Sequence, residues 1–153
     1  MECFSLAALL ALIGALSGVS GLVLGIVNYL RDRFKLVITL KWDMAVTDNA
    51  RYDTSKKWGI VSAANVGRRP VYIRVANLEL PKGYEETHLV LNEGIRGIKL
   101  AEGDAPVIFV ASQEGMEKYK KDWRRIRAAV YDTAGKVYRS KRLGELDQPS
   151  WSR

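Results

Sequence analysis

An uncharged stretch near the amino terminus constrains this chain more than any other feature. No charged residue lies between Cys3 and Leu30, whereas every charge but that of Glu2 follows it in the 153-residue chain. As a helix, the apolar segment 4–30 would be about 40 Å long, against a hydrocarbon core of about 30 Å. The segment is therefore predicted to be a transmembrane helix, and the chain divides into two parts suited to two solvents.

A cleavable secretory signal is the main alternative for this segment. Such a signal begins with a basic region and has an apolar core of about 7–15 residues. Residues 1–3 contain an acid and no base, and the apolar run is longer. A retained anchor is favoured, and an exported domain that binds a periplasmic or cell-surface ligand stays as the alternative.

The charges that follow the span predict its orientation. Arg31, Arg33 and Lys35 lie in a short connector, 31–35, whereas the upstream side has no basic side chain. Lys and Arg near a span stay on the cytoplasmic side. We expect an inner (plasma) membrane protein with its N-terminus outside and its C-terminal part in the cytoplasm, where the absence of a cysteine pair is ordinary.

A stripe of glycines runs along the predicted span. Gly14, Gly18, Gly21 and Gly25 are spaced four, three and four residues apart, with Ser17 beside them. Glycines at this spacing let a second helix approach closely. We predict a homo-oligomer or a partner membrane helix; the alternative is that glycine is simply frequent in membrane helices.

From Leu36 the pattern changes to short apolar runs separated by turn residues, which is typical of strands. We predict a mainly β domain over 36–146, an immunoglobulin-like antiparallel sandwich of about seven or eight strands, with a small Greek-key barrel as the alternative. The predicted strands are 36–42, 58–66, 71–80, 88–91, 98–100, 107–110, 126–131 and 136–142. In strand 71–80 we expect Val71, Ile73 and Val75 to be buried.

One short helix is expected between the last strands. Ser112 can cap a helix that begins at Gln113, with Met116, Tyr119 and Trp123 facing the domain. After the final hairpin, residues 147–153 are predicted to be a frayed tail.

Two segments carry a resemblance to known proteins. They are NVGRRPVYIRVANLEL, with an Asn-x-Gly-x-x-Pro turn, and AAVYDTAGKVYRSK, with an Asp-x-x-Gly hairpin. Behind an N-terminal span, they resemble uncharacterised small bacterial or phage membrane proteins with an immunoglobulin-like sandwich. The resemblance implies that fold and a bacterial or phage context, and no catalytic residues.

The positive charge is concentrated near the carboxyl end. Residues 117–153 hold eleven bases and five acids, so they carry +6 of the net charge of +7. This basic patch could contact anionic lipid, bind an acidic partner or be a solvated face. Nucleic acid is the least favoured partner, because interleaved aromatic residues are missing. The patch consists of Lys118, Lys120, Lys121, Arg124, Arg125 and Arg127.

Catalytic and metal-binding patterns are sparse. His88 is the only histidine, and with Cys3 on the other side of the membrane it makes neither a zinc site nor a catalytic dyad. Asp43, Asp48 and Asp53 could form a calcium site only if a polar loop brought them together. We predict no enzyme and no cofactor.

The predicted function is that of a single-pass membrane-anchored interaction or scaffold protein. Its partners would be membrane lipid, a second span, and a protein that the sandwich binds. A narrower alternative is a phage- or defence-linked membrane effector, in which oligomerisation of the span perturbs the bilayer.

Overall fold

The helix α1 spans Leu6–Arg31 in the computed structural model, which describes residues 5–47, 50–91 and 97–153. Ser5 caps it, because its hydroxyl oxygen accepts a hydrogen bond from the amide of Ala8 at 3.2 Å. None of the helix residues is buried. The helix is long and apolar enough to cross a membrane. It belongs to a compact unit of its own, and a second unit comprises Phe34–Arg153.

The described part of the second unit contains eight strands in two antiparallel sheets. The three-stranded sheet has the order β1-β2-β6, and the larger sheet has the order β4-β3-β7-β8, with β5 beside β4 on the same edge of β3. The predicted mainly β sandwich behind an N-terminal helix is confirmed. The strands are β1 Leu36–Met44, β2 Trp58–Asn65, β3 Val71–Glu79, β4 His88–Val90, β5 Ile98–Leu100, β6 Val107–Ser112, β7 Arg127–Asp132 and β8 Val137–Arg139.

The core lies between the two sheets. Every second side chain of β1 is buried from Leu36 to Trp42, as expected for a strand with one face covered. From the other sheet, Ile73, Leu78 and Val130 are completely buried. Because both sheets contribute to one apolar cluster, the sandwich needs no residue of α1 to complete its core.

The predicted alternation in β3 is right for its first half only. Val71 and Ile73 are buried as expected, but Val75 is half-buried and Ala76 is completely buried. The pairing of β3 with β7 shifts between Ile73 and Val75. Such a bulge moves the following side chains to the opposite face.

The predicted short helix begins later and is tighter than expected. It is a stretch of 3₁₀ helix over Met116–Arg125 that is interrupted by a kink at Asp122, where φ is −116° and ψ is 16°. Gly115 has a left-handed φ of 75°, and the hydroxyl of Ser112 accepts a hydrogen bond from the amide of Glu114, so a turn precedes the helix. The prediction that Met116, Tyr119 and Trp123 face the domain is confirmed, because all three side chains are buried.

The prediction of a frayed tail is wrong. Residues Glu145–Asp147 and Ser150–Ser152 form 3₁₀ turns. Pro149 and Ser152 are buried. The segment folds because Ser150 and Trp151 both contact the end of β1, which no local pattern in the tail signals.

Both turn motifs close tight reversals. In the β7–β8 hairpin, Gly135 has a φ of 82° and the Asp132 carboxylate accepts from the Lys136 amide at 2.8 Å, as the Asp-x-x-Gly motif predicts. In the β2–β3 turn, the Asn65 side chain accepts from the Gly67 amide at 3.0 Å.

The strands define two ends of the sandwich. Leu36 pairs with Asn65, so the chain enters the sandwich beside the β2–β3 turn; this is the entry end. From there β3 runs for nine residues, roughly 26 Å, to Glu79. Glu79 pairs with Arg127 at the start of β7, and we call this the far end.

Candidate functional site

The glycine stripe of α1 is open along its length. At 100° per residue, its four glycines fall within an arc of about 60°. A Cβ atom placed on any of the following would meet nothing within 4 Å: Gly14, Gly18, Gly21 and Gly25. The Ser17 hydroxyl donates to the Gly14 carbonyl at 3.0 Å, so its hydrogen bond stays within the helix. The stripe therefore presents bare backbone to its surroundings.

The three juxtamembrane bases differ in their contacts. Arg31 is the last residue of α1. The Arg33 guanidinium lies over the Tyr29 ring, 5.3 Å from its centroid. The backbone carbonyl of Lys35 accepts a hydrogen bond from the Val66 amide at 2.9 Å, which fixes the first residue before β1.

The structure divides the predicted basic patch. Lys118 donates to Glu86 at 2.7 Å, and this hydrogen bond lowers the pKa of Glu86 and raises that of Lys118. Lys120 donates to the backbone carbonyl of Arg153. Arg124 pairs with Glu145 at 3.0 Å. Half of the patch is thus engaged by acceptors from distant parts of the chain.

Two members of the patch lie in a different cluster. Arg125 and Arg127 line a cavity of about 340 Å³ at the far end, together with Lys82 and Arg142. Sequence reasoning missed Lys82 and Arg142, because they are far from the basic run along the chain. The end of β3 pairs with the start of β7, and this pairing brings the residues that follow β3 close to Arg127. The pairing can be recognised only when the strand register is known.

The aromatic residues of the basic segment belong to the core. Tyr119 is completely buried, and burial raises the pKa of its phenol. Its ring meets Tyr84 edge to face with centroids 4.7 Å apart. Trp123 is also buried. These rings pack inside the sandwich and are not available to stack on bases.

A groove opens between the edge strands β4 and β6. Its volume is about 900 Å³, and its lining includes Leu89 and Phe109. Two further lining residues are well exposed, Val90 by 64% and Ile108 by 61%. Arg51, Ser112 and Glu114 also line the groove, so it mixes apolar with polar and charged side chains.

The expected acidic and histidine sites have separate surroundings. The Asp43 carboxylate accepts from the Ser150 amide at 2.7 Å. The Asp53 carboxylate accepts from the amide and the hydroxyl of Ser55, and these bonds lower its pKa. Asp48 lies outside the described residues. His88 is exposed on β4, beside the Thr87 hydroxyl. Within 5–47, 50–91 and 97–153, no three potential metal ligands come together.

Comparison with known proteins does not assign the chain to a family. No protein-family model matches it, and no curated protein is similar to it in sequence. Its class is therefore defined by its architecture: an apolar N-terminal helix that is long enough to span a membrane, followed by an antiparallel β-sandwich.

Proposed function

We propose that this protein is a single-pass membrane-anchored interaction protein that self-associates through its span and performs no catalysis. The N-terminus would be outside, and the sandwich would be a cytoplasmic binding module. The observation that carries the proposal is that α1 has no buried residue while the sandwich completes its core without it. The cost of leaving an apolar helix in water is removed when lipid surrounds it.

Self-association is supported by the glycine stripe. Lipid tails are as apolar as the helix, so apolar burial alone does not hold two spans together. Two spans are held together when their backbones pack closely, and the stripe offers four positions without a side chain for such packing. Asn28 lies on the same side of the helix, seven residues after Gly21, where its amide can hydrogen-bond to a second span.

The orientation is supported by Arg31, Arg33 and Lys35, which follow the span, and it is tested by cysteine labelling of intact cells. Cys3 is the only cysteine of the chain, so a membrane-impermeant maleimide should label the wild type from outside. In the double variant Cys3→Ser/Glu102→Cys, the new thiol lies in an exposed turn of the sandwich and should react only after lysis.

The reverse labelling pattern would contradict the cytoplasmic location and favour an exported sandwich. The intact mass of the purified chain tests the anchor separately. A mature chain without its first 30 residues would contradict the anchor.

Chemical cross-linking in membranes tests self-association. Gly18→Leu and Gly21→Leu place branched side chains on the stripe and should reduce the cross-linked species at least tenfold. Ser20→Leu is the matched control, because it makes a similar change on the other side of the helix and should cross-link like the wild type. Equal loss in all three variants, or no loss in any, would contradict a role for the stripe.

A further inference from the structure

Four cations surround one cavity at the far end of the sandwich. The cavity has a volume of about 340 Å³. Its remaining lining consists of Leu80 and Pro81, which are both buried. The cations come from three separate segments of the chain. Lys82 follows β3, and Arg142 follows β8. Arg125 ends the 3₁₀ helix and Arg127 begins β7, so these two belong to one segment.

Backbone pairing holds these segments together. Glu79 lies opposite Arg127, so the end of β3 is fixed beside the start of β7. The amide of Ser140 donates to the carbonyl of Ala128 at 2.8 Å, which extends the β7–β8 pairing toward Arg142. The sheet therefore brings together the chain segments that carry Lys82, Arg127 and Arg142.

Nearby acids leave most of this charge uncompensated. Glu79 is held by Arg139, whose guanidinium contacts both of its carboxylate oxygens at 2.8–2.9 Å. Asp122 pairs with Arg125 at 3.3 Å. Among the described residues, the other three cations of the cavity form no ion pair: Lys82, Arg127 and Arg142. Like charges that share a concave surface repel each other, and a bound anion would relieve this repulsion.

We propose that this cavity binds a phosphate group. The planar guanidinium groups of Arg127 and Arg142 can each donate two parallel hydrogen bonds to phosphate oxygens. A phosphate ester carries a charge of about −1.5 to −2 at neutral pH, which suits a cluster with three uncompensated cations better than a single carboxylate does. The buried Leu80 and Pro81 form an apolar wall on one side of the cavity. The proposal goes beyond the proposed function and does not depend on self-association of α1.

The first experiment is calorimetric titration of the full chain, in a non-ionic detergent, with pyrophosphate at constant ionic strength. We expect saturable binding to one site. The double variant Arg127→Gln/Arg142→Gln should weaken binding at least tenfold. Arg68→Gln is the matched control, because Arg68 is exposed at the entry end and forms no ion pair in the described part of the chain; binding should change by less than twofold.

Absence of pyrophosphate binding by the wild type would overturn the proposal. The same loss in Arg68→Gln would also overturn it, because that result would mean a general effect of net charge. Thermal unfolding checks the fold of the double variant. Its midpoint without ligand should equal or exceed that of the wild type. A clear decrease would mean that the cations stabilise the fold, and it would overturn the proposal that they are kept for an anion.

A second experiment identifies the source of the phosphate. The chain, reconstituted in phosphatidylcholine nanodiscs, is mixed with vesicles of phosphatidylcholine alone or with added phosphatidic acid, and the vesicles are floated. Co-flotation with the acidic vesicles that pyrophosphate displaces would support the site and assign a lipid headgroup. Pyrophosphate binding without co-flotation would support the site and assign a free phosphorylated molecule. Co-flotation that persists in the double variant would overturn this cavity as the headgroup site.

Discussion

The indole rings of Trp42 and Trp151 meet edge to face, with their centroids 5.5 Å apart and their planes at 86°. Trp42 is buried near the end of β1, and Trp151 lies in the last turn of the chain. Beside them, the Asp43 carboxylate accepts from both the amide and the hydroxyl of Ser150. The carboxyl end is thus fixed to the first strand by one aromatic contact and one acid.

Removal of the Trp151 ring should therefore destabilise the sandwich. Because this residue is only partly buried, we expect Trp151→Ala to lower the free energy of unfolding by about 2–3 kcal/mol, less than for a fully buried tryptophan. Leu146→Ala, in the same segment but fully exposed, should change it by less than about 0.5 kcal/mol. Urea unfolding of the full chain in detergent measures both. An unchanged Trp151→Ala protein would mean that the tail does not support the fold.

The ring of Trp42 also limits which side chain position 59 can carry. A Cβ atom on Gly59 would lie 2.5 Å from Cζ3 and 2.7 Å from Cε3 of that ring, in the buried core. Gly59→Ala should therefore force the indole aside and lower the free energy of unfolding by about 1–3 kcal/mol. Gly144→Ala is the control, because its Cβ would meet only Asp147, at 3.4 Å. Equal stability of the two variants would show that Trp42 shifts without cost.

Asn65 holds the β2–β3 turn through three hydrogen bonds. Its amide nitrogen donates to the carbonyls of Arg69 and Leu100, both at 2.9 Å, and its side-chain oxygen accepts from the Gly67 amide. Asn65 is buried, so Asn65→Ala would leave backbone groups without partners and should cost about 2–4 kcal/mol. Val66→Ala, at the exposed neighbouring position, should be nearly neutral. The denaturant midpoints of both variants test this, and a similar midpoint for both would refute the role of Asn65.

Local patterns were enough to predict much of the fold. The strand at 36–42, the alternation in the first half of β3 and the Asp132 to Gly135 turn depend on neighbours within a few residues, so the sequence carries them directly. The start of the 3₁₀ helix at Met116 was harder to predict from the sequence, because two turns compete at this point of the chain. Ser112 offered an N-cap, but Gly115 in the left-handed region ends the turn before the helix.

The prediction for the tail was wrong and the prediction for the basic patch was incomplete, both because they depend on contacts between distant parts of the chain. Trp151 finds its partner in β1, more than 100 residues earlier, and nothing in a short polar tail signals this. The basic run looked like one surface because its members are adjacent in the sequence. In the fold, Glu86 and Glu145 engage Lys118 and Arg124, while other members join a cavity that three segments build.

The contacts of Glu86 predict how the stability of the sandwich changes with pH. Its carboxylate accepts from Lys118 at 2.7 Å and from the Tyr119 hydroxyl at 3.1 Å. The bond from Lys118 is the main cause of the lowered pKa of Glu86. A carboxyl group whose pKa is lower in the folded state stabilises the fold above its unfolded pKa, about 4.3 for glutamate. This contribution is lost as the pH falls through the folded pKa.

The same hydrogen bond predicts that this stabilisation of the fold is also lost at alkaline pH. It raises the pKa of Lys118 above that of the unfolded chain, about 10.4 for lysine. The contribution of Lys118 is complete below this value and is lost as the pH rises through the folded pKa. The pair should therefore stabilise the sandwich between these limits and at neither extreme.

Urea unfolding of Glu86→Gln across the acidic range tests the lower limit. The variant should be less stable than the wild type at neutral pH, because glutamine cannot pair with the charge of Lys118. The difference should shrink as the pH falls below the unfolded glutamate pKa, since the wild type then becomes protonated as well. Glu85→Gln removes an exposed charge from the adjacent position and should show no such convergence. A stability difference for Glu86→Gln that stays constant or grows in acid would show that the ion pair does not stabilise the fold.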